Sequence, residues 1–207
     1  VKNVWEESGK VEAILEKKIN FKTELSIIVV CTKSGNTLFY PLVENFHKNG
    51  ILDISIAPYK DLELQKRAES YHRKISKELN YIGVLVIEFF LTDNEELIAN
   101  EMAPRVHNSG HWTNEGANIS QFEAHIMAIS GMSIEKISVK GNSGMLNILS
   151  KMPDNKIIEN NSNMKLYNYG KSERPNRKLG HITLTCDNKE TLISTLSGLS
   201  CLLYTSP

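Results

Sequence analysis

The 207-residue sequence has little of what usually marks a specialised environment. Its three cysteines, Cys31, Cys186 and Cys201, are too few and too scattered for a disulfide framework or a zinc site. They fit a reducing compartment. Charge of one sign is not in excess either, because 24 basic residues meet 24 acidic ones. That removes any electrostatic case for nucleic acid or a membrane surface as a partner. No apolar run approaches the length of a membrane span. The opening VKNVWEESGK has no signal-peptide pattern and no initiator Met, and it reads like the middle of a gene product. Together these absences point to a cytoplasmic globular protein with ample core for one large or two small domains.

What is present concentrates in Gly83 to Thr113, GVLVIEFFLTDNEELIANEMAPRVHNSGHWT. Gly83 to Leu91 is an apolar run broken by one acid, Glu88, and Leu97 to Ala103 returns with a second, Glu101. A two-residue loop at Asn94-Glu95 predicts an antiparallel hairpin in which Asp93 opposes Glu96, Leu91 opposes Ile98 and Glu88 opposes Glu101. Opposed residues share a face, with Cβ atoms roughly 4.5–5.5 Å apart. Two carboxylates there repel, and among apolar neighbours each loses solvation. A hard divalent cation such as Mg²⁺ resolves both problems. A one-residue slip would send one acid to the other face, leaving two solvated acids on an edge hairpin; spacing alone leaves both readings open. Pro104 removes a backbone donor and helps end the second strand. Arg105, His107, Asn108, Ser109, Gly110 and His111 then form a dense polar run. Arg can fork onto a carboxylate or phosphate and His can hold or move a proton near neutral pH, so the run suits an anionic ligand.

Elsewhere, Val11 to Leu15 and Leu25 to Cys31 read as strands. Lys33 to Asn36 reads as a turn, Thr37 to Val43 as a returning strand, and Glu44 to Leu52 as an ordered loop. Leu64, Ala68, Tyr71, Ile75 and Leu79 recur at helical spacing and predict an amphipathic helix of about 18 residues. Ser120 with Glu123 makes a capping box for a helix with a stripe of Phe122, Ile126 and Ile129, ended by Gly131. Further on come short β-like runs, Ile134 to Lys140 and Met145 to Ser150, and a polar loop, Pro153 to Asn163. Lys165 to Cys186 reads as two strands around a loop crowded with Lys171, Arg174, Arg177, Lys178 and His181. Asn188 to Leu199 is a helix capped by Asp187 or Asn188. A loose boundary near Ile134 to Gly141 divides a domain over 1–136 from one over 137–207. Read singly, Glu16 and Glu24 are solvated strand-end charges, His47 is an exposed loop histidine, and the basic loop is a surface feature.

Four stretches change that reading: NEMAPRVHNSGHWT, ISQFEAH at Ile119 to His125, VENFHKNGIL at Val43 to Leu52, and YGKSERPNRKLGH at Tyr169 to His181. Together they closely resemble the 5-(carboxyamino)imidazole ribonucleotide synthase family of ATP-grasp ligases. The likeness runs from about Val11 to Leu199 and corresponds to the later part of the family's chain. It implies an α+β fold: the C-terminal lobe of an ATP-grasp domain, an antiparallel sheet with packed helices, followed by a small β-rich domain. It also implies ATP- and Mg²⁺-dependent carboxylation of 5-aminoimidazole ribonucleotide in purine biosynthesis, with hydrogencarbonate as co-substrate and carboxyphosphate as intermediate. The implied partners are these small molecules, and the full-length protein is expected to be a homodimer.

Carried onto this sequence, the resemblance places Glu16 near the adenine and Glu24 near the ribose, with the backbone of Lys17, Lys18 and Ile19 as the adenine hinge. His47, Asn100 and Glu101 fall to the ATP site, and Glu88 and Glu101 to the metal. Arg105, His107 and Asn108 would grip the carboxyphosphate, while Lys171, Arg174, Arg177 and Lys178 would meet substrate phosphates. Asn176 departs from the family's usual Gly, although Asn tolerates left-handed backbone. The closing SCLLYTSP is unlike the family's final helix and reads as non-native coding sequence. The family's glycine-rich phosphate lid precedes the matched region, so the isolated chain is expected to be inactive. A sister ligase, the formate-dependent phosphoribosylglycinamide transformylase, shares the EM-x-PR-x-H pattern but departs from NSGHWT. A non-catalytic ATP-binding module would be favoured by loss of Glu88 or Glu101, and neither is lost.

Overall fold

Strand polarity decides which way each face of this protein looks. The computed structural model describes residues 2–154 and 161–205. After a short helix α1 (Lys2–Glu7) the chain forms β1 (Thr23–Cys31), β2 (Thr37–Phe39), β3 (Val43–Lys48), β4 (Ile51–Ala57) and helix α2 (Leu62–Leu79). Next come β5 (Gly83–Leu91), β6 (Leu97–Ala103), a 3₁₀ turn (Asn108–Gly110), α3 (Thr113–Gly116) and α4 (Gln121–Ser130). The chain closes with β7 (Asn142–Leu149), β8 (Met164–Asn168), β9 (Lys178–Cys186) and α5 (Lys189–Thr205). Among the described residues the strands make one nine-stranded antiparallel sheet, ordered β6-β5-β1-β3-β4-β7-β9-β8, with β2 beside the end of β1.

Residues opposed across a ladder share a face. Leu25, Glu44, Ile56, Gly144 and Leu184 oppose one another in turn across five strands. Leu25 packs with Leu64 and Ala68 of α2, and Ile56 and Leu184 pack with Leu192 and Leu196 of α5. Both long helices therefore cover the same face. On the opposite face Ile28, Val30, Val84 and Val86 pack against Trp112, Ala124 and Ala128. Each aliphatic side chain buried this way contributes about 1.5–3 kcal/mol.

Several sequence expectations need correction. Val11 to Leu15 is irregular and exposed, with Ile14 and Leu15 at 88% and 84%, since no described strand offers it a ladder. The returning strand expected over Thr37 to Val43 is split. Pro41 cannot donate to a ladder, so β2 ends at Phe39 and β3 resumes beside the start of β1. Glu44 to Leu52 is not a loop but the β3–β4 hairpin. Its turn, Asn49-Gly50, has φ of 52° and 74°, the doubly left-handed pattern of a type I′ turn. Ile134 to Lys140 forms only a single bridge, Val139 to Ala117.

Both predicted amphipathic helices form, with rotated faces. α2 has its expected 18 residues, capped by Asp61, but buries Leu64, Ala68, His72 and Ser76 while Tyr71 and Leu79 stay exposed. In α4 the Ser120 cap and Gly131 stop appear as expected. Its buried contacts are Ala124 and Ala128, however, and Phe122, Ile126 and Ile129 are 41%, 57% and 42% exposed. The strand face beneath is already filled by Ile28, Val84 and Val86, so only small side chains let the helix approach. Asn188 Oδ1 caps α5 by accepting from Thr191 N, and that helix continues through the closing segment to Thr205. Of the Pro153 to Asn163 loop, residues 155–160 lie outside the described residues.

The β8–β9 ladder leaves no room at Gly180, where a Cβ would run into the Tyr167 carbonyl oxygen. Gly180→Ala is expected to destabilise the protein by about 1–3 kcal/mol, read as a lowered urea midpoint with unchanged slope. An unchanged midpoint would contradict this tight pairing.

Candidate functional site

The β5–β6 hairpin brings Glu88 opposite Glu101, but not through the expected turn. The loop has five residues, Thr92 to Glu96, closed by Thr92 N to Glu96 O and Glu95 N to Thr92 O at 3.0 Å each. Glu95 takes the left-handed conformation, φ 60°. Leu91 accordingly opposes Leu97, Phe90 opposes Ile98 and Phe89 opposes Ala99, one residue off the expected register. A bulge at Asn100 then restores the count, and Glu88 meets Glu101. Asn100 itself is exposed on the bulge.

Ladder register sets the surroundings of the pair. Ser26 on β1 opposes Glu88, and Glu24, Asn45 and Ser55 form the neighbouring row of the same face. The half of this face beyond Ser26 is apolar and lies under α4, whereas this half is polar. Its groups make a directed chain of hydrogen bonds. Ser55 Oγ donates to Asn45 Oδ1 at 2.8 Å, Asn45 Nδ2 to Ser26 Oγ at 3.0 Å, and Ser26 Oγ to Ser109 Oγ at 2.9 Å. Ser109 Oγ thereby keeps its own proton for His107 Nδ1, 2.9 Å away. Nδ1 also accepts from Ser109 N, so the ring proton of His107 sits on Nε2.

An Nδ1 that accepts cannot serve Glu88, whose Oε1 lies 3.6 Å from it and has no hydrogen-bond partner. Burial first, then Glu101 and Glu24, raises the Glu88 carboxyl to about 7. The His107 imidazole is pushed down to about 4 by burial, with Arg105 and Lys178 adding to it. Glu101 is exposed, with Arg105 4.0 Å away. An orphaned buried oxygen facing a second carboxylate suits a hard divalent cation that takes its other ligands from bound anions or water. Among the described residues no cluster of three or more His, Cys, Asp and Glu offers a fuller cage.

His47 sits in β3, with Nδ1 2.9 Å from Glu24 Oε2, so two residues expected at the nucleotide do converge. Glu16, Lys17 and Lys18 are exposed in the irregular lead into β1, and Ile19 is half-buried. Of the basic loop, Lys178 and His181 lie within β9. His181 is buried, and Lys178 Nζ donates to Asn108 Oδ1 across the two parts of the sheet. Burial, then Lys171, lowers Lys178 to about 7. Lys171 lies over the Tyr169 ring, Arg177 turns back onto Ser172, and Arg174 is exposed. Asn176 is left-handed, φ 59°, which accounts for its tolerance at that turn. Lys178, Lys171, Asn108 and His111 line a cavity of about 490 Å³.

Residues 1–122 match the family model of the ATP-grasp domain. The chain belongs to the ATP-grasp family. Residues 143–195 match the model of the phosphoribosylaminoimidazole carboxylase C-terminal domain. Among relatives, the N5-carboxyaminoimidazole ribonucleotide synthase of Pseudomonas aeruginosa is 41% identical over 203 residues, covering 98% of this chain and 56% of that protein. The crystal structure of the synthetase from Thermus thermophilus superposes with a TM-score of 0.86 at 44% identity, covering 92% of this chain and 53% of the other. An Aspergillus clavatus synthase, in complex with ADP and 5-aminoimidazole ribonucleotide, superposes at 0.78 with 32% identity, covering 87% and 52%. The chain spans about half the length of the curated relatives it matches. Among its described residues, no helix is long and apolar enough to cross a membrane.

In this ATP-grasp chain, sequence reading had Ser109 in the polar run but missed the rest of the site's floor, Ser26, Asn45 and Ser55. The available signal was one hydroxyl inside the otherwise apolar run LSIIVVC, two residues after Glu24. Period-two alternation puts both on one face.

A carboxyl that holds its proton more tightly when folded makes the native state bind excess protons between pH 4.5 and about 7. Stability should therefore fall as pH rises through that window, with a full penalty on the order of 3 kcal/mol above it. In metal-free protein, Glu88→Gln is expected to recover most of this at pH 8 and nothing below pH 4.5, by urea unfolding across pH. A gain independent of pH would contradict the buried-acid account.

Proposed function

We propose that this chain is the carboxyphosphate-forming portion of an N5-carboxyaminoimidazole ribonucleotide synthase, with an ATP-grasp part over 1–136 and a small C-terminal domain over 137–207. The observation that carries this reading is Glu88 opposite Glu101, its buried Oε1 unpartnered and His107 beside it. The relatives named as this synthase support the substrate assignment.

In this reading an oxygen of hydrogencarbonate attacks the γ-phosphorus of ATP, the bond to ADP breaks, and carboxyphosphate forms. Its carboxyl carbon then passes to the exocyclic amine of 5-aminoimidazole ribonucleotide, with release of phosphate and of the amine proton. Glu24, His47 and Asn100 take the nucleotide, together with Glu16 and the backbone of Lys17 to Ile19. Glu88 and Glu101 hold magnesium, which when bound offsets phosphate charge. Arg105 is exposed and able to fork onto an anion. His107 presents Nε2–H as a neutral donor, and Asn108 has its carbonyl occupied by Lys178 and its amide free to donate. These are fixed donors aimed at a charged reacting centre. Lys171, Arg174, Arg177 and Lys178 meet the phosphate of the imidazole nucleotide.

The test fuses the chain to the amino-terminal part of a related synthase and measures ADP release with hydrogencarbonate, with and without 5-aminoimidazole ribonucleotide. Substrate-stimulated turnover is expected, falling roughly 100-fold or more in Glu101→Gln. Stimulation by glycinamide ribonucleotide and formate would move the assignment to the sister ligase. A folded fusion that binds ATP without turnover would make the chain a non-catalytic module.

A further inference from the structure

Gln121, the first residue of α4, is fully buried between the histidine loop and the sheet. Its side-chain amide pairs with the backbone of His107 as one peptide group pairs with another. Oε1 accepts from His107 N at 2.9 Å, and Nε2 donates to His107 O at 2.7 Å. A backbone N–H can only donate and a backbone C=O only accept, so this pair fixes which end of the amide is nitrogen. The second Nε2 proton then has one place to go, His111 Nδ1 at 3.0 Å. His111 Nδ1 must accept, and the ring proton of a neutral His111 must sit on Nε2.

The surroundings hold this arrangement from every side. Thr113 Oγ1 accepts from Gln121 N and donates to Gly110 O, tying the helix start to the loop. Gly110 has no Cβ, and one placed there would run into Gln121 Oε1. The His111 ring lies between Phe122 and His181, with centroids 5.4 and 4.5 Å away in stacked geometry. Its Nε2 meets no described protein partner and is not among the buried unsatisfied atoms, and His111 lines the 490 Å³ cavity with Lys178 and Lys171.

We propose that Gln121 is a positioning residue that locks His111 as the Nε2–H tautomer, making it a neutral donor to an acceptor on the ligand in that cavity. Resting on the proposed function, that ligand is the imidazole nucleotide. The lock itself does not depend on that function. A donor without charge beside Lys171 and Lys178 adds selectivity for a hydrogen-bond acceptor, and a ligand lacking one would leave a buried N–H unsatisfied.

The lock is read directly by ¹⁵N ring shifts of His111 in the histidine-labelled full chain, assigned with His111→Gln. The expected result is Nε2–H in the wild type at pH 7. An ionised carboxylate has no proton to donate, so Gln121→Glu is expected to move the ring proton to Nδ1. Finding Nδ1–H or imidazolium in the wild type, or no change in a folded Gln121→Glu protein, would overturn the lock. If that variant fails to fold, Gln121→Met, which removes the amide donor without adding charge, replaces it, and the pure Nε2–H signal is expected to give way to a mixture of the two tautomers; an unchanged signal would overturn the lock. In the fusion, His111→Phe is expected to raise KM for 5-aminoimidazole ribonucleotide at least tenfold while leaving ADP affinity within twofold. His111→Gln, which keeps an N–H, is expected to restore most of that loss. Equal effects of Phe and Gln would overturn the donor role. A wild-type fusion with no response to the imidazole nucleotide would sink the function reading, while the tautomer result stands on its own.

Discussion

Glu88 and Glu101 face each other because β6 carries one residue more than β5 between the hairpin loop and the pair. Without the bulge at Asn100, Glu88 would oppose Asn100 and Glu101 would point to the other face. There it would oppose Ile87, where Met102 now stands 44% exposed, as a solvated acid on the wrong side of the sheet from Glu88. The bulge thus decides whether the protein owns a facing pair of acids or one buried acid and one solvated on the far face. Its cost is confined to an exposed residue on the sheet's outer strand, where a break in the ladder is tolerated.

The rest of the site follows from dividing one sheet face into two halves. Beyond Ser26 the face is Ile28 and Val30 on β1 with Val84 and Val86 on β5, closed by the alanines of α4. Before Ile28 it is Glu24, Ser26, Asn45, Ser55 and Glu88, roofed by the loop from His107 to His111. The polar half is nearly self-satisfied, since each hydroxyl and amide passes its proton along to the next. Glu88 is the member left out. A buried unsatisfied polar group costs about 1–3 kcal/mol, and such a cost persists where a ligand removes it.

The acid pair was legible because one charge in a nine-residue apolar strand is conspicuous, and its partner came out right because the bulge at Asn100 cancels the one-residue error in the expected loop. The loop was not. Thr32 to Asn36 and Thr92 to Glu96 close with the same backbone bonds, but the left-handed position is Gly35 in one and Glu95 in the other. Glycine announces that conformation and glutamate conceals it. His47 looked like a loop residue although Asn49-Gly50 beside it is a strong hairpin signal, because the polar run Glu44 to Lys48 masked the alternation. The rotated face of α4 could not be read locally either. Which side of a helix is buried depends on how much room the sheet leaves, and here only methyl groups fit. The hydrogen-bond floor joins residues far apart in the chain, Asn45 to Ser26 and Ser26 to Ser109, and no local pattern encodes it.

The two roof histidines share a logic that reaches the chemistry. Burial pushes both His107 and His111 well below the ordinary imidazole range. Lys178 presses further on each, and each accepts at Nδ1 from a partner whose direction is fixed elsewhere in the fold. Both rings therefore offer an Nε2–H without a positive charge, while the exposed Arg105 and Lys171 supply the charge from the rim. Had the histidines been charged instead, they would have opposed those cations across a few ångströms of poorly solvated space. Separating the roles lets a site that binds several anionic groups place many donors in a small volume without repelling itself apart before the ligands arrive. The directed networks ending at Ser109 and Gln121 are what make neutral donors dependable, because a neutral imidazole is a donor at Nε2 only if something else holds Nδ1 as the acceptor.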